Sequence, residues 1–371
     1  MPSANLLRRC SEPPDESPPP LPRFTICIPN YNYATYLGET LKSVLAQEAG
    51  DFEVRVSDNA STDDSLDVIA SIGDPRIHVT SNRCNVGFAA NLDRAARDAS
   101  GELMIMLSSD DVMRPDALTS YEALFDHEPG RAVVVSATVD VIDSVGAVTG
   151  RIGPDEKLWA GASRHAALSD KLGAPVLELA PGALLERCFA TMRNPFNFLA
   201  TAYPRSLYEQ VEGYGGGRLM NPDKWFHWRL VGACDAVYFV DRPLFGYRWH
   251  QTNQTAQQSA AGALKFIVDD YVNTFEVPEA LLRRAGCERA DVERAFVEHD
   301  IARHGLATLA RGDRAKARRI LHFGQASYPA LVKRNRNAWI LRTMLALGPA
   351  GEALSARAYG RSGERREGIG A

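Results

Sequence analysis

The chain has 371 residues, 45% of them hydrophobic and 24% charged, with a formal net charge of −4. Those values are ordinary for a globular protein and exclude a low-complexity chain or a uniformly basic nucleic-acid binder. There is no uninterrupted apolar run of about 18 residues and no secretory apolar stretch at the N-terminus, and the six cysteines lack paired spacing. A reducing, cytoplasmic setting is therefore expected, without a disulfide framework or a zinc site.

Residues 1–22 carry seven prolines among acids and serines, a composition that cannot bury a core and reads as a disordered leader. From Phe24 the pattern turns periodic. It predicts strands at Phe24–Ile28, Phe52–Val56, Arg76–Thr80 and Leu103–Leu107. Between them it predicts helices at Thr35–Gln47, Asp63–Ser71 and Gly87–Asp98. Strands alternating with helices at this spacing imply an α/β fold with a mostly parallel sheet covered on both faces. A helix from Pro115 and a strand at Ala132–Ser136 follow, and then an irregular Gly/Pro-rich stretch to about residue 200 that should shape a site. Residues 222–232 read as a helix and 236–249 as two short strands. Beyond 260 the chain reads as helical, with Ala302–Leu309 and Arg314–Leu321 turning back on each other at Gly312-Asp313.

The predicted strand Leu103–Leu107 stops at Ser108-Ser109-Asp110-Asp111. Adjacent carboxylates at the carboxyl edge of a sheet repel each other, and a divalent cation carrying a phosphate relieves that repulsion. A solvated turn or a helix cap is the plainer use of such a pair. Three more segments fall at strand ends or on the following helix: Pro29-Asn30-Tyr31-Asn32, Ser57 through Asp63, and Asn221-Pro222-Asp223-Lys224-Trp225.

In order and setting, these segments resemble the family 2 glycosyltransferases, inverting enzymes of the GT-A fold, over residues 23–253. Asn85-Val86-Gly87 with Asn91 adds to the likeness. The resemblance implies that Pro29, Tyr31 and Asp58 hold the nucleoside of a donor, with Tyr31 facing the base and Asp58 accepting from its edge. It implies that Asp111 binds Mg²⁺ or Mn²⁺, that Asp110 completes the metal shell or touches ribose, and that His250 is a third ligand. Arg248 becomes a phosphate contact and Asp223 the catalytic base. Two positions depart from the pattern: Ser108 stands where many members have an acid, and Pro222 replaces the acid before the base. Proline suits the first turn of a helix, so the second departure leaves Asp223 in place.

Charge is unevenly spread, since residues 281–371 hold 18 Lys and Arg against 9 Asp and Glu, a net of +9 that leaves −13 for the rest. Within this tail, residues 331–347 combine Lys333, Arg334, Arg336 and Arg342 with Trp339, Ile340, Leu341 and Met344. Such a helix can lie on an anionic membrane at the inner face of the cell, or it can pack on its neighbours.

Taken together, the expectation is a leader at 1–22, a GT-A domain at 23–255 and a helical region with a basic amphipathic segment at 256–371. The expected activity is metal-dependent transfer from a nucleotide-sugar donor, a UDP-sugar foremost, to a glycan or lipid-linked acceptor in cell-surface polysaccharide or glycolipid synthesis, without nucleic acid. Two other classes compete. A nucleotidyltransferase would need a basic phosphate loop where Pro29–Asn32 stand, and an inactive glycan-binding module would not need Asp223.

Overall fold

The computed structural model describes residues 21–215, 219, 222–250, 253 and 264–363. The expected leader therefore lies almost wholly outside the described residues, as do Asn221 and the 254–263 stretch where the domain boundary was placed.

The first half follows the predicted alternation: β1 Phe24–Asn30, α1 Ala34–Leu45, β2 Phe52–Asp58, α2 Ser65–Ile72, β3 Ile77–Ser81, α3 Phe88–Arg97 and β4 Leu103–Met106. β1 and β4 are near-continuous apolar runs because helices cover both faces, whereas β2 alternates Phe52, Val54 and Val56 with Glu53 and Arg55. Then come β5 Val112–Met113, α4 Ala117–Phe125 and β6 Val133–Ile142.

The stretch expected to be irregular is instead structured. It contains β7 Val148–Ile152, β8 Ser163–Arg164, α5 Ala166–Leu172, β9 Val176–Leu179, α6 Pro181–Thr191 and β10 Thr201–Pro204. These pieces are too short to show a period, and their pairing partners are distant in sequence. After α7 Arg205–Gln210 and α8 Asp223–Ala233 comes β11 Ala236–Arg248. β11 is one strand rather than the expected two. Register shifts between Val240 and Phe245 absorb Pro243, which lacks the N–H that a regular ladder would use.

The strand order is β3-β2-β1-β4-β10-β6-β11-β9-β8, with β5 paired to β11 and β7 to β6. β3, β2, β1 and β4 are mutually parallel, while β10 runs antiparallel between β4 and β6. The sheet is therefore parallel in its first half and mixed in its second, with the crossover of strand order next to β1 and β4, where α/β sheets open a crevice.

C-terminal helices cover one face. Residues 289–310 run as one rod, helical through Phe296, π-helical over Val297–Arg303 and α-helical again from His304. Arg314–Ser327 folds back after Gly312, at φ +88°, with Asp313 capping through Lys316 N. The packing is close: a methyl group added to Gly305 would meet Leu341 Cδ2 at 2.4 Å. One apolar cluster runs from Cys27 and Phe189 under the sheet through Trp228 to Phe296, Ile301 and Leu341.

The basic segment forms the helices Pro329–Arg334 and Arg336–Ala346. Its apolar face is used for packing, with Val332, Ala338, Leu341 and Leu345 buried. Trp339 points outward at 54% exposure beside the exposed Lys333, Arg334, Arg336 and Arg342. Among the described residues no helix is long and apolar enough to cross a membrane.

Candidate active site

The carboxyl ends of β1, β2 and β4 open into a cavity of about 1110 Å³, whose wall includes Tyr31, Asn59, Asp110, Asp111, Asn194 and Asp223. Backbone strain gathers around it. Asn32 and Met192 line the cavity in the left-handed region at φ +58° and +56°, and Ala60 behind it sits at +60°.

At one end, Pro29 lies in the last turn of β1 and Tyr31 follows it, 41% exposed and facing the cavity. Asp58, expected to contact the base, does not join them on the wall. It is 1% exposed, accepting from Asn30 Nδ2 at 2.9 Å and Ser61 N at 3.0 Å, so its carboxylate braces the loops after β1 and β2. The wall position belongs to Asn59, which accepts from Asn82 Nδ2 and Val86 N and donates to Asn85 Oδ1 at 2.9 Å. Asp63 caps two helices at once, accepting from Ala34 N at the start of α1 and from Ser65 N at the start of α2.

The Asp pair is positioned by β5. Antiparallel pairing of Val112 with Gly246 and of Met113 with Phe245 brings the loop after β4 against the end of β11. Gly246 permits this approach, since a Cβ there would meet Val112 Cγ2 at 2.8 Å. Asp111 Oδ1 accepts from Arg248 N at 2.8 Å, while its Oδ2 is buried with no partner among the described residues. Burial, reinforced by the charge of Asp110, pushes the Asp111 carboxyl well above the usual carboxylate range.

Arg248, through its backbone N–H and its guanidinium charge, opposes that rise only in part. It is 1% exposed behind the pair and not on the cavity wall. Its Nε donates to Asp110 O at 2.8 Å and its Nη1 to Asp143 O at 3.2 Å, and Nη2 lies 2.7 Å from Glu39. Its guanidinium thus straps three segments together. His250 is likewise off the wall, with Nε2 3.0 Å from Asp110 Oδ2 and its ring 4.6 Å from that of Tyr36. Among the described residues no group of three or more His, Cys, Asp or Glu converges as metal ligands. What suits a hard divalent cation is the unpartnered Asp111 oxygen beside Asp110. Two carboxylates with phosphate oxygens and water in the remaining positions are a usual Mg²⁺ arrangement.

At the other end, Pro222 precedes α8 and Asp223 opens it, so the carboxylate sits at the positive end of the helix. Asp223 is 8% exposed; Oδ2 accepts from Asn194 Nδ2 at 2.9 Å, and Oδ1 has no partner among the described residues. Burial raises its proton affinity, opposed by the backbone amide and charge of Lys224 and by Asn194. The Asn194 amide is itself oriented, because its Oδ1 lies 2.7 Å from His227 Nδ1. Burial pushes His227 down to about 3, so it is neutral near pH 7 and donates from Nδ1.

The structure therefore brings Tyr31, Pro29, Asp110, Asp111 and Asp223 to one cavity and sets Asp58, Arg248 and His250 behind its wall. Sequence reading missed Asn59, Asn194 and His227. Asn194 lies on the turn after α6, where only the Asn-Pro pair signals a bend. Nothing local ties it to a carboxylate 29 residues further on.

Comparison with known proteins agrees with this geometry. A family model described as glycosyl transferase family 2 matches residues 25–171. An uncharacterized glycosyltransferase of Nostoc sp. is 27% identical over 271 residues, 69% of this chain and 76% of that protein. Chondroitin synthase of Pasteurella multocida is 36% identical over 100 residues, 26% of this chain and only 10% of that protein. The crystal structure of S. aureus TarS 1–349 in complex with UDP-GlcNAc superposes with a TM-score of 0.61 at 19% identity, covering 92% of each chain.

Proposed function

This chain belongs to the family 2 glycosyltransferases, with the GT-A fold, and from that premise we propose that it transfers a sugar from a nucleoside-diphosphate donor to an acceptor hydroxyl with inversion. The observation that carries the reading is the pairing of two buried carboxylate oxygens without partners, Asp111 Oδ2 and Asp223 Oδ1, on residues that line one cavity. A buried acceptor without a donor is costly and points to a group supplied by a ligand.

In this reading Asp110 and Asp111 hold Mg²⁺ or Mn²⁺. Charge growing on the departing diphosphate is offset by that cation when it is bound. Pro29 and the exposed ring of Tyr31 receive the base, while Asn59, braced by Asn82 and Asn85, borders it. Asp223 Oδ1 takes the proton of the acceptor hydroxyl. The acceptor oxygen bonds to the anomeric carbon as the carbon–oxygen bond to the diphosphate breaks on the opposite face. Asn194 holds the other carboxylate oxygen, and neutral His227 holds Asn194.

The bound TarS neighbour supports a UDP-sugar donor, and the synthase relative supports a polysaccharide acceptor. The division into 23–255 and 256–371 is part of the same reading. So is peripheral contact with anionic lipid, which would rest on Trp339 and the four exposed cations around it, because the rest of that helix packs inward. The test is a panel of nucleotide sugars screened for Mn²⁺-dependent thermal stabilisation and then for release of nucleoside diphosphate. Stabilisation and release by the same sugar nucleotide support the reading. A protein that is stabilised by none and releases none contradicts it.

A further inference from the structure

Lys224 follows Asp223 in the first turn of α8 and lines the same cavity. Its ammonium is fastened on two sides, donating to Met192 O at 3.0 Å and to Asp270 Oδ1 at 2.5 Å. Met192 ends α6, two residues before Asn194. Asp270 belongs to the C-terminal helix Leu264–Glu276, 46 residues away in sequence. Behind Asp270 stands Asp300, in the π-helical segment Val297–Arg303. Burial and then the charge of Asp270 push the Asp300 carboxyl well above the usual carboxylate range. Burial opposes the charge of Lys224, but the charges of Asp270 and then Asp300, with the hydrogen bond to Asp270, outweigh it and raise the proton affinity of the amine.

The groups facing Asp223 come from three directions. From its own helix come Lys224 and His227, and His227 is neutral. From the turn after α6 come Asn194 and Arg193, and Arg193 is paired with Asp155. From the C-terminal helices come Asp270 and Asp300, through Lys224. At the far end of α8, Arg284 bonds Cys234 O and lies away from the carboxylate.

We propose that the C-terminal helices complete the catalytic site: Asp270 fixes Lys224 as the counter-charge of Asp223. Lys224 and Asp270 are then positioning residues for the base. A carboxylate this buried can act as a base at neutral pH only if something favours its ionised form, and a nearby ammonium does so only while it is held close. A flexible four-carbon stem does not hold itself; Asp270 and Met192 O do.

The inference rests on Asp223 being the base, but its test reads no turnover, so the two can fail separately. The measurement is a carbon-13 titration of the Asp223 side-chain carboxyl in the full chain, with the signal assigned through Asp223→Asn. Lys224→Arg keeps the charge and should leave the midpoint where it is. The charge-balanced pair Lys224→Met with Asp270→Asn avoids stranding a buried ion and should raise the midpoint by about one pH unit. Asp270→Asn alone should raise it by about half as much, because the ammonium is freed to swing away. A double variant that titrates like the parent overturns the counter-charge, and a midpoint unchanged or lowered in Asp270→Asn overturns the tether.

Discussion

Asp111 and Asp223 are both buried carboxylates with one oxygen unbonded among the described residues, yet the charge around them is arranged in opposite ways. Beside Asp111 stands a second carboxylate, Asp110. The nearest guanidinium, that of Arg248, is turned onto carbonyls and Glu39. Beside Asp223 stands Lys224, anchored by Asp270. One end of the cavity therefore carries an excess of negative charge that a cation from solution can offset, and the other carries its own cation. The difference separates binding from chemistry: the first end should respond to divalent metal, and the second should respond to pH and to the integrity of the C-terminal helices.

The sharpest way to break the comparison is at Asp223. Asp223→Asn keeps the hydrogen bond to Asn194 and the helix start but removes the base. Turnover measured as nucleoside diphosphate release should fall roughly 10²- to 10⁴-fold with donor affinity nearly unchanged. Joint loss of donor binding and thermal stability would make the residue a helix cap instead.

Arg248→Met comes next. It strips donors from the carbonyls of Asp110 and Asp143 and from Glu39, so urea unfolding should show a loss of about 3 kcal/mol. A variant as stable as the parent would mean that the guanidinium is free to turn toward a phosphate.

A smaller effect distinguishes the two ends without any substrate. The folded state holds the Asp111 proton more tightly than the unfolded chain does, so this group stabilises the protein at low pH and loses that contribution as pH rises through its folded value. In EDTA near neutral pH, Asp111→Asn should therefore raise Tm by about 2 °C, and the gain should shrink as pH falls toward the ordinary carboxylate range. His227, pushed down to about 3, works in the opposite sense below its ordinary range, but it is common to both proteins and cancels in the difference. A variant less stable than the parent in EDTA would show that Asp111 is supported by its neighbours rather than strained by them.

How much of this was legible in the sequence follows from the range of the forces. The alternation from Phe24 to Leu107 is a local periodicity, and the strands and helices fell where it placed them. Asp110, Asp111 and Asp223 were legible because each sits at the punctuated end or start of an element, where polar residues meet an apolar run. β8 and β9 were not, since two- and four-residue strands carry no period of their own. The surroundings of Arg248 were not legible either, since its contacts with the carbonyls of Asp110 and Asp143 and with Glu39 join segments more than 100 residues apart. Lys224 and Asp270 were unreadable as a pair across 46 residues, since nothing in either neighbourhood names the other.

The two-ended account is tested most directly by calorimetric titration of UDP and GDP into the full chain, Asp111→Asn and Asp223→Asn, each with and without Mn²⁺. It predicts that one of the two nucleotides binds the parent and Asp223→Asn with the same Mn²⁺ dependence, and that Asp111→Asn loses the Mn²⁺-dependent part. Mn²⁺-dependent binding that survives in Asp111→Asn, or that disappears in a folded Asp223→Asn, would contradict it.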